Sequence, residues 1–223
     1  SIMPSKELWI LRHGQATHNP RSEQARENGC SYQEFLEFMR LDDSLDAPLT
    51  EIGQQQARHV REHHQLRPDL VVASPLSRAL LTADLACCPI GSTKNRVCYE
   101  GFREINGWLL NAQRRKRSDL LERFPHWNFN DISELDETWT EQLEETQACG
   151  ERGYLGLQWL LQRTEQSILL VAHGGILRFT MDHDNVSVGD GRKLPSSRSP
   201  QERFHNGELR RYHLRIDESS STT

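Results

Sequence analysis

The sequence predicts an α/β fold built on a central, mostly parallel sheet. Three short apolar runs carry that reading: Lys6–Arg12 with Leu8-Trp9-Ile10-Leu11, Leu70–Ala73, and Ser167–Ala172. Each is closed by a break, at Gly14, Ser74-Pro75 and Gly174-Gly175 respectively, and the second and third run straight on into segments of helical character. Short continuous apolar runs fit strands buried on both faces, and strands alternating with helices make the inner strands parallel.

After the first strand, Asn19–Asp46 is polar and mixed, reading as an excursion over the surface with one helix near Tyr32–Met39. Thr50–His64 reads as an exposed helix capped by Thr50. Leu70–Ala73 leads into a helix at Ser77–Cys87, and Arg96–Glu100 has strand character. Gly107–Asp136 is irregular, and Glu141–Arg163 is the longest helical stretch, weakened by Gly150, Gly153 and Gly156. The strand Ser167–Ala172 precedes a helix at Ile176–Asp182. Asn185–Gln201, rich in Gly, Ser and Pro, reads as a mobile loop. Asn206-Gly207 within Phe204–Ile216 predicts a hairpin with a strand on each side, and Ser219–Thr223 a frayed tail. No internal repeat is found. The 223 residues are expected to form a single domain, with insertions near 20–47 and 107–136 and a flexible tail at 217–223.

Composition narrows the function classes. Apolar residues make up 35% and the formal net charge is −5, which argues against a general nucleic-acid binder. No apolar run approaches the roughly 18 residues of a membrane span. Five cysteines with one adjacent pair and no C-x-x-C do not resemble a disulfide framework or a zinc site, and fit a reducing compartment. The apolar run begins within a few residues of Ser1, leaving no room there for a signal peptide, so a cytoplasmic location is expected.

Ligands of parallel sheets bind beyond the carboxyl ends of the strands, which directs attention to the three strand ends. These read Arg12-His13-Gly14 with His18-Asn19 beyond, Ser74-Pro75-Leu76-Ser77-Arg78, and His173-Gly174-Gly175. Two histidines and two arginines therefore converge. Arginine offers a planar fork matched to phosphate oxygens and holds its charge at any working pH, and a neutral imidazole is a good nucleophile toward phosphorus. Glycine after each histidine lets backbone approach an anion closely. With that much fixed positive charge around a phosphate, no metal ion is needed.

With these residues the chain resembles the histidine phosphatase superfamily, also called phosphoglycerate mutase-like. The resemblance rests on Arg12-His13-Gly14 with Asn19, Leu49-Thr50-Glu51-Ile52-Gly53-Gln54-Gln55, Ser74-Pro75-Leu76-Ser77-Arg78-Ala79 with Thr82, Phe102-Arg103-Glu104-Ile105-Asn106-Gly107, and His173-Gly174-Gly175. Order and spacing agree from about residue 6 to residue 180. Gln15 and His18-Asn19 point to the plant and fungal phosphatase-like branch. The resemblance implies a three-layer α/β arrangement, phosphoglycerate mutase-like, with helices on both faces of the sheet. It implies His13 as the nucleophile that becomes phosphohistidine, Arg12, Arg78, His173 and Asn19 as phosphate ligands, and Glu104 as general acid and base. No metal or cofactor is implied, and the partner is a small phosphorylated substrate, with neither nucleic acid nor membrane.

Two departures favour hydrolysis over mutase-type transfer. The segment Pro20–Ala47 is long compared with the connection in glycolytic mutases, and Glu104-Ile105-Asn106-Gly107-Trp108 lacks the mutase pattern. The expected activity is therefore a metal-independent phosphomonoesterase acting on small phosphometabolites. The alternatives are a phosphoglycerate mutase or sugar-bisphosphate phosphatase and, in another class, a non-catalytic phosphate-binding scaffold.

Other signals are read blandly. His59-Val60-Arg61-Glu62-His63 fits an inverted zinc-protease pattern but lies on an exposed polar helix. Asp182-His183-Asp184 is a solvated turn, Arg114–Arg117 a solvated cationic face that could also steer an anionic substrate, and Gly189–Lys193 lacks P-loop spacing. Trp108, Trp127 and Phe129 are expected to pack the irregular section. Arg103, Arg178 and Gln15 are residues that could reach a substrate.

Overall fold

The computed structural model describes residues 5–87, 95–187 and 203–216. Five strands form one sheet in the order β3-β2-β4-β1-β5: β1 is Lys6–Arg12, β2 Leu70–Ala73, β3 Arg96–Cys98, β4 Ser167–Ala172 and β5 Leu209–Leu214. All neighbouring pairs are parallel except β1 with β5. The expected α/β class with a mostly parallel sheet is what the chain adopts. The helices are α1 (Asn19–Glu27), α2 (Tyr32–Leu41), α3 (Glu51–His64), α4 (Ser77–Ala86), α5 (Arg117–Arg123), α6 (Thr146–Gln162) and α7 (Gly174–Met181).

Side chains of a strand alternate between faces, so the sheet supports a core on each side. Leu11, Val71, Ala73, Leu169 and Val171 meet Ala57 and Val60 of α3 and Ala79, Leu80 and Ala83 of α4. Leu8, Ile10, Leu70, Val72, Ile168 and Leu170 meet Leu157 and Leu160 of α6 and Ile176 and Leu177 of α7. Helices thus cover both faces. A smaller cluster joins Phe35, Leu36 and Met39 of α2 to Leu109.

Several expectations change in detail. The polar excursion after β1 holds two helices; α1 has almost no apolar face and buries Asn19 and Ser22, with the Ser22 hydroxyl donating to the carbonyls of His18 and Asn19. The hairpin at Asn206-Gly207 is not formed among the described residues. The turn is present, with φ +73° at Gly207, but only β5 comes after it, and the Gly207 N–H donates to the carbonyls of Arg12 and His13 (3.1 Å each). β3 stops at Cys98, and Glu100–Phe102 is a 3-10 turn. Arg114 belongs to no solvated face: it is buried, donating from Nε to Glu100 (2.6 Å) and from Nη2 to the carbonyls of Ser133 and Leu135 (2.8 Å each). Trp127 and Phe129 pack in the core as expected, and Trp108 lies against the smaller cluster. Most of the Asn185–Gln201 loop, the whole tail and Cys88 fall outside the described residues.

Thr50 caps α3 by accepting the Gly53 N–H (3.1 Å), and this turn is locked onto the segment after β1. Gly14 and Gly53 approach so closely that a Cβ on Gly14 would lie 2.2 Å from the Gly53 carbonyl oxygen, and one on Gly53 would lie 2.1 Å from the Gln15 carbonyl oxygen. Both obstacles are backbone, so neither can rotate away. Gly53→Ala is therefore expected to cost about 1–3 kcal/mol, the usual range for overpacking. Urea unfolding of wild type and variant measures this, and an unchanged midpoint would show that the two segments part easily.

Candidate active site

Strand register assembles the site. Arg12 pairs with Ala172, and Val171 pairs with both Leu11 and Ala73, so β1, β4 and β2 end at nearly the same level. The next residues, His13, His173 and Ser74, consequently stand side by side at the carboxyl edge. The His13 and His173 ring centroids are 4.9 Å apart with planes at 59°.

His13 is almost wholly buried, and its Nδ1 donates to its neighbour's carbonyl, Gly14 O, at 2.6 Å. That bond puts the proton on Nδ1 and leaves the lone pair on Nε2, which accepts from Arg78 Nε at 3.3 Å. The His13 backbone carbonyl is fixed by Asn206 Nδ2 (3.2 Å) and the Gly207 N–H. His173 Nε2 shares a hydrogen bond with Ser74 Oγ at 2.7 Å, and its Nδ1 has no partner.

The arginines are held from behind and left open in front. Arg12 donates from Nη1 to Phe204 O (2.7 Å) and from Nη2 to Glu23 of α1; its buried Nε has no partner. Arg78 donates from Nη1 to Asn111 O (2.7 Å), and its Nη2 is unpaired. The start of α4 is anchored by buried Asp46, which accepts from the Ser77 N–H (2.8 Å) and the Ser77 hydroxyl. Asn19 is buried in the cleft wall, its Oδ1 accepting from the Ala16 N–H (2.8 Å). Unpaired buried polar atoms are uncommon in folded proteins. Four of them here, Arg12 Nε, His18 Nδ1, Arg78 Nη2 and His173 Nδ1, belong to residues grouped around His13.

Burial and the neighbouring guanidiniums of Arg78 and Arg12 hold His13 well below its usual 6.5. His173 and His18 are lowered well below it by burial first and then by Arg78, with Arg12 acting in the same direction on both. All three rings are therefore neutral at neutral pH. Arg78 is brought down to about 10 by burial, with Asp46 and Glu104 opposing, and so keeps its charge. Asp46 is pushed up by burial.

Glu104 lines the same cleft. Its carboxylate accepts the N–H groups of Ile105 (2.8 Å), Gly175 (3.1 Å) and Ile176 (2.9 Å), which fixes it across the first turn of α7. A Cβ at 175 would come 2.3 Å from Glu104 Oε1, so a side chain there would displace the carboxylate from this turn.

All six sequence-derived candidates, Arg12, His13, Asn19, Arg78, Glu104 and His173, are thus drawn to one edge of the sheet. Of the three residues read as able to reach a substrate, Arg178 lines the cleft. Arg103 is buried behind it on Asp136 (2.6 Å), and the Gln15 side chain accepts from Thr50 Oγ1 (2.9 Å). Sequence reasoning missed Glu23, Asp46 and the cleft residue His18. A carboxylate beside a run of phosphate-type motifs was the only signal for the first two. The histidines of the zinc-protease-like pattern, His59 and His63, are exposed on α3, whose buried residues are Gly53, Ala57 and Val60. Among the described residues no cluster of three or more His, Cys, Asp or Glu is arranged to hold a metal ion, and no helix is long and apolar enough to cross a membrane.

Comparison with known proteins gives the same grouping. The chain is 29% identical over 211 residues to phosphoglycerate mutase-like protein 1 of Arabidopsis thaliana, covering 79% of this chain and 71% of that one. It is 26% identical over 208 residues to another phosphoglycerate mutase-like protein of the same plant, with coverages of 77% and 72%. Among solved structures, the alpha-ribazole phosphatase of Shigella flexneri superposes with a TM-score of 0.55 at 22% identity, covering 94% of this chain and 95% of that one. Mycobacterial hydrolase 1 gives 0.54 at 20%, covering 94% and 92%. Both share the fold. The sequence profile of the histidine phosphatase superfamily, branch 1, matches residues 8–196, a span that takes in all six candidate residues, and the chain belongs to that superfamily.

Proposed function

We propose that the protein is a metal-independent phosphomonoesterase that works through a phosphohistidine on His13. The observation that carries this reading is the presentation of His13 Nε2 as a neutral, proton-free nitrogen among unpaired donors of Arg12, Arg78 and His173. In the first step Nε2 attacks phosphorus and the ester P–O bond breaks. Arg12 and Arg78 stabilise the charge on the non-bridging oxygens, where oriented donors act most strongly. With Ser74 Oγ donating to Nε2 of His173, that ring carries its proton on Nδ1 and supplies a further donor. Glu104 takes the proton that the monoanionic ester brings in and passes it to the leaving oxygen, then accepts a proton from the water that attacks the phosphohistidine; that proton leaves with inorganic phosphate and His13 is regenerated.

Hydrolysis is preferred to mutase-type transfer because of the long Pro20–Ala47 segment and the sequence around Glu104. The substrate would be a small phosphorylated metabolite entering the cleft lined by Arg12, His13 and Glu104.

Quenching a labelled phosphoester reaction in base is expected to leave label on the wild-type protein and none on His13→Ala. Label on the variant would overturn the role of His13. For Glu104→Gln, turnover of alkyl phosphates is expected to fall about 10²–10⁴-fold and that of activated aryl phosphates far less, as general acid catalysis requires. An equal loss on both esters would remove Glu104 from that role.

The neutral histidines also set a pH dependence of stability. Unfolded, each of His13, His18 and His173 takes up a proton near 6.5; folded, each does so only at much lower pH. The unfolded state thus binds more protons below 6.5, and stability, complete above that value, is lost as pH falls. The slope approaches about 1.4 kcal/mol per pH unit for each histidine. Urea midpoints between pH 7.5 and 5 measure it, and a flat profile would mean that the rings are charged in the folded state.

A further inference from the structure

Part of the cleft lining comes from the Pro20–Ala47 segment and from α7. Two guanidiniums lie there on aromatic faces. Arg26 of α1 stacks on Phe35 at 3.7 Å from the ring centroid, and Arg178 of α7 lies 5.4 Å from Tyr32 and 5.2 Å from Phe179. All five residues line the same cleft as His13 and Glu104.

Among the described residues, some of their polar groups lack partners. The carboxylate nearest Arg26 is Glu23, at 3.9 Å, and Glu23 is already held by Arg12. Arg178 has no carboxylate partner among the described residues, its buried Nε is without a hydrogen bond, and so is the buried hydroxyl of Tyr32. Burial, together with Glu104, keeps that phenol protonated, so it is a donor. Desolvated donors without partners are costly, and two cations on one wall add mutual repulsion. A compact anion entering the cleft relieves both.

We infer that Arg26, Arg178 and the Tyr32 hydroxyl form a second anion subsite, and that the preferred substrate is a phosphomonoester whose leaving group carries an anion of its own. This rests on the reading of His13 as the phosphate end of the cleft. Carboxylate and phosphate share the required chemistry, and the first suits a wall of only two guanidiniums.

The test uses non-hydrolysable phosphonates, so it does not depend on turnover. Calorimetric affinities are measured for alkylphosphonates of two to four carbons, for ω-carboxyalkylphosphonates of the same lengths, and for the matching bisphosphonates. At least one carboxylate ligand is expected to bind tenfold or more tightly than its alkyl counterpart, and this advantage should fall below threefold in the Arg26→Gln, Arg178→Gln double variant. Tyr32→Phe should lower the advantage to an intermediate value. A larger gain for the bisphosphonates would identify phosphate as the second group. Equal affinity of alkyl and carboxyalkyl ligands for wild type, or an advantage that survives the double substitution, would overturn the subsite. Discrimination without any phosphohistidine or hydrolysis would leave the subsite standing and overturn the catalytic reading instead.

Discussion

Parallel pairing of β1, β4 and β2 in a common register is the constraint from which the site derives. Because Arg12 stands opposite Ala172 and Val171 opposite Ala73, the chain leaves the sheet three times at one level. The residues just beyond those strand ends are forced into proximity: one imidazole from β1, one from β4, and the serine that shares a hydrogen bond with the second. A slip of one residue in β1 would turn His13 toward the opposite face, since strand side chains alternate. The cores on the two faces oppose that slip, because it would carry Leu8, Ile10 and Leu11 onto the wrong sides.

Concentrating arginines and imidazoles at a buried edge is electrostatically costly, and the fold meets the cost at a distance. The carboxylates that anchor the arginines sit behind them. Glu23 holds Arg12, and Asp46 fixes the turn that carries Arg78. Each neutralises without filling the space in front. The histidines are handled differently, by staying uncharged. A neutral ring both relieves the repulsion and keeps the lone pair that covalent chemistry needs.

The strands were legible because burial on both faces leaves a continuous apolar run, and the site was legible because its main residues come directly after those runs. The remainder was hidden for identifiable reasons. Helix α1 has no apolar stripe to read; its place is set by Ser22 bonding back to backbone and by Glu23 meeting Arg12, both visible only in three dimensions. Arg114 stands in a run of cations that reads as solvated, yet Glu100 and the carbonyls of Ser133 and Leu135 take it inside. Asn206-Gly207 is correctly a turn, but a turn alone does not say what it closes upon; here it meets the backbone of His13 rather than a partner strand.

The placement of β1 bears on how the molecule is made. Both of its neighbours in the sheet, β4 and β5, come after residue 166, so β1 is paired only once those later segments have been made. Until then it offers two open edges rich in Leu, Trp and Ile, the kind of template on which chains associate wrongly. The loop that carries His13 gains part of its hold at the same stage, since Asn206 and Gly207 bind the His13 carbonyl. Completion of the surroundings of His13 is thus coupled to the arrival of the segments that close both edges of β1.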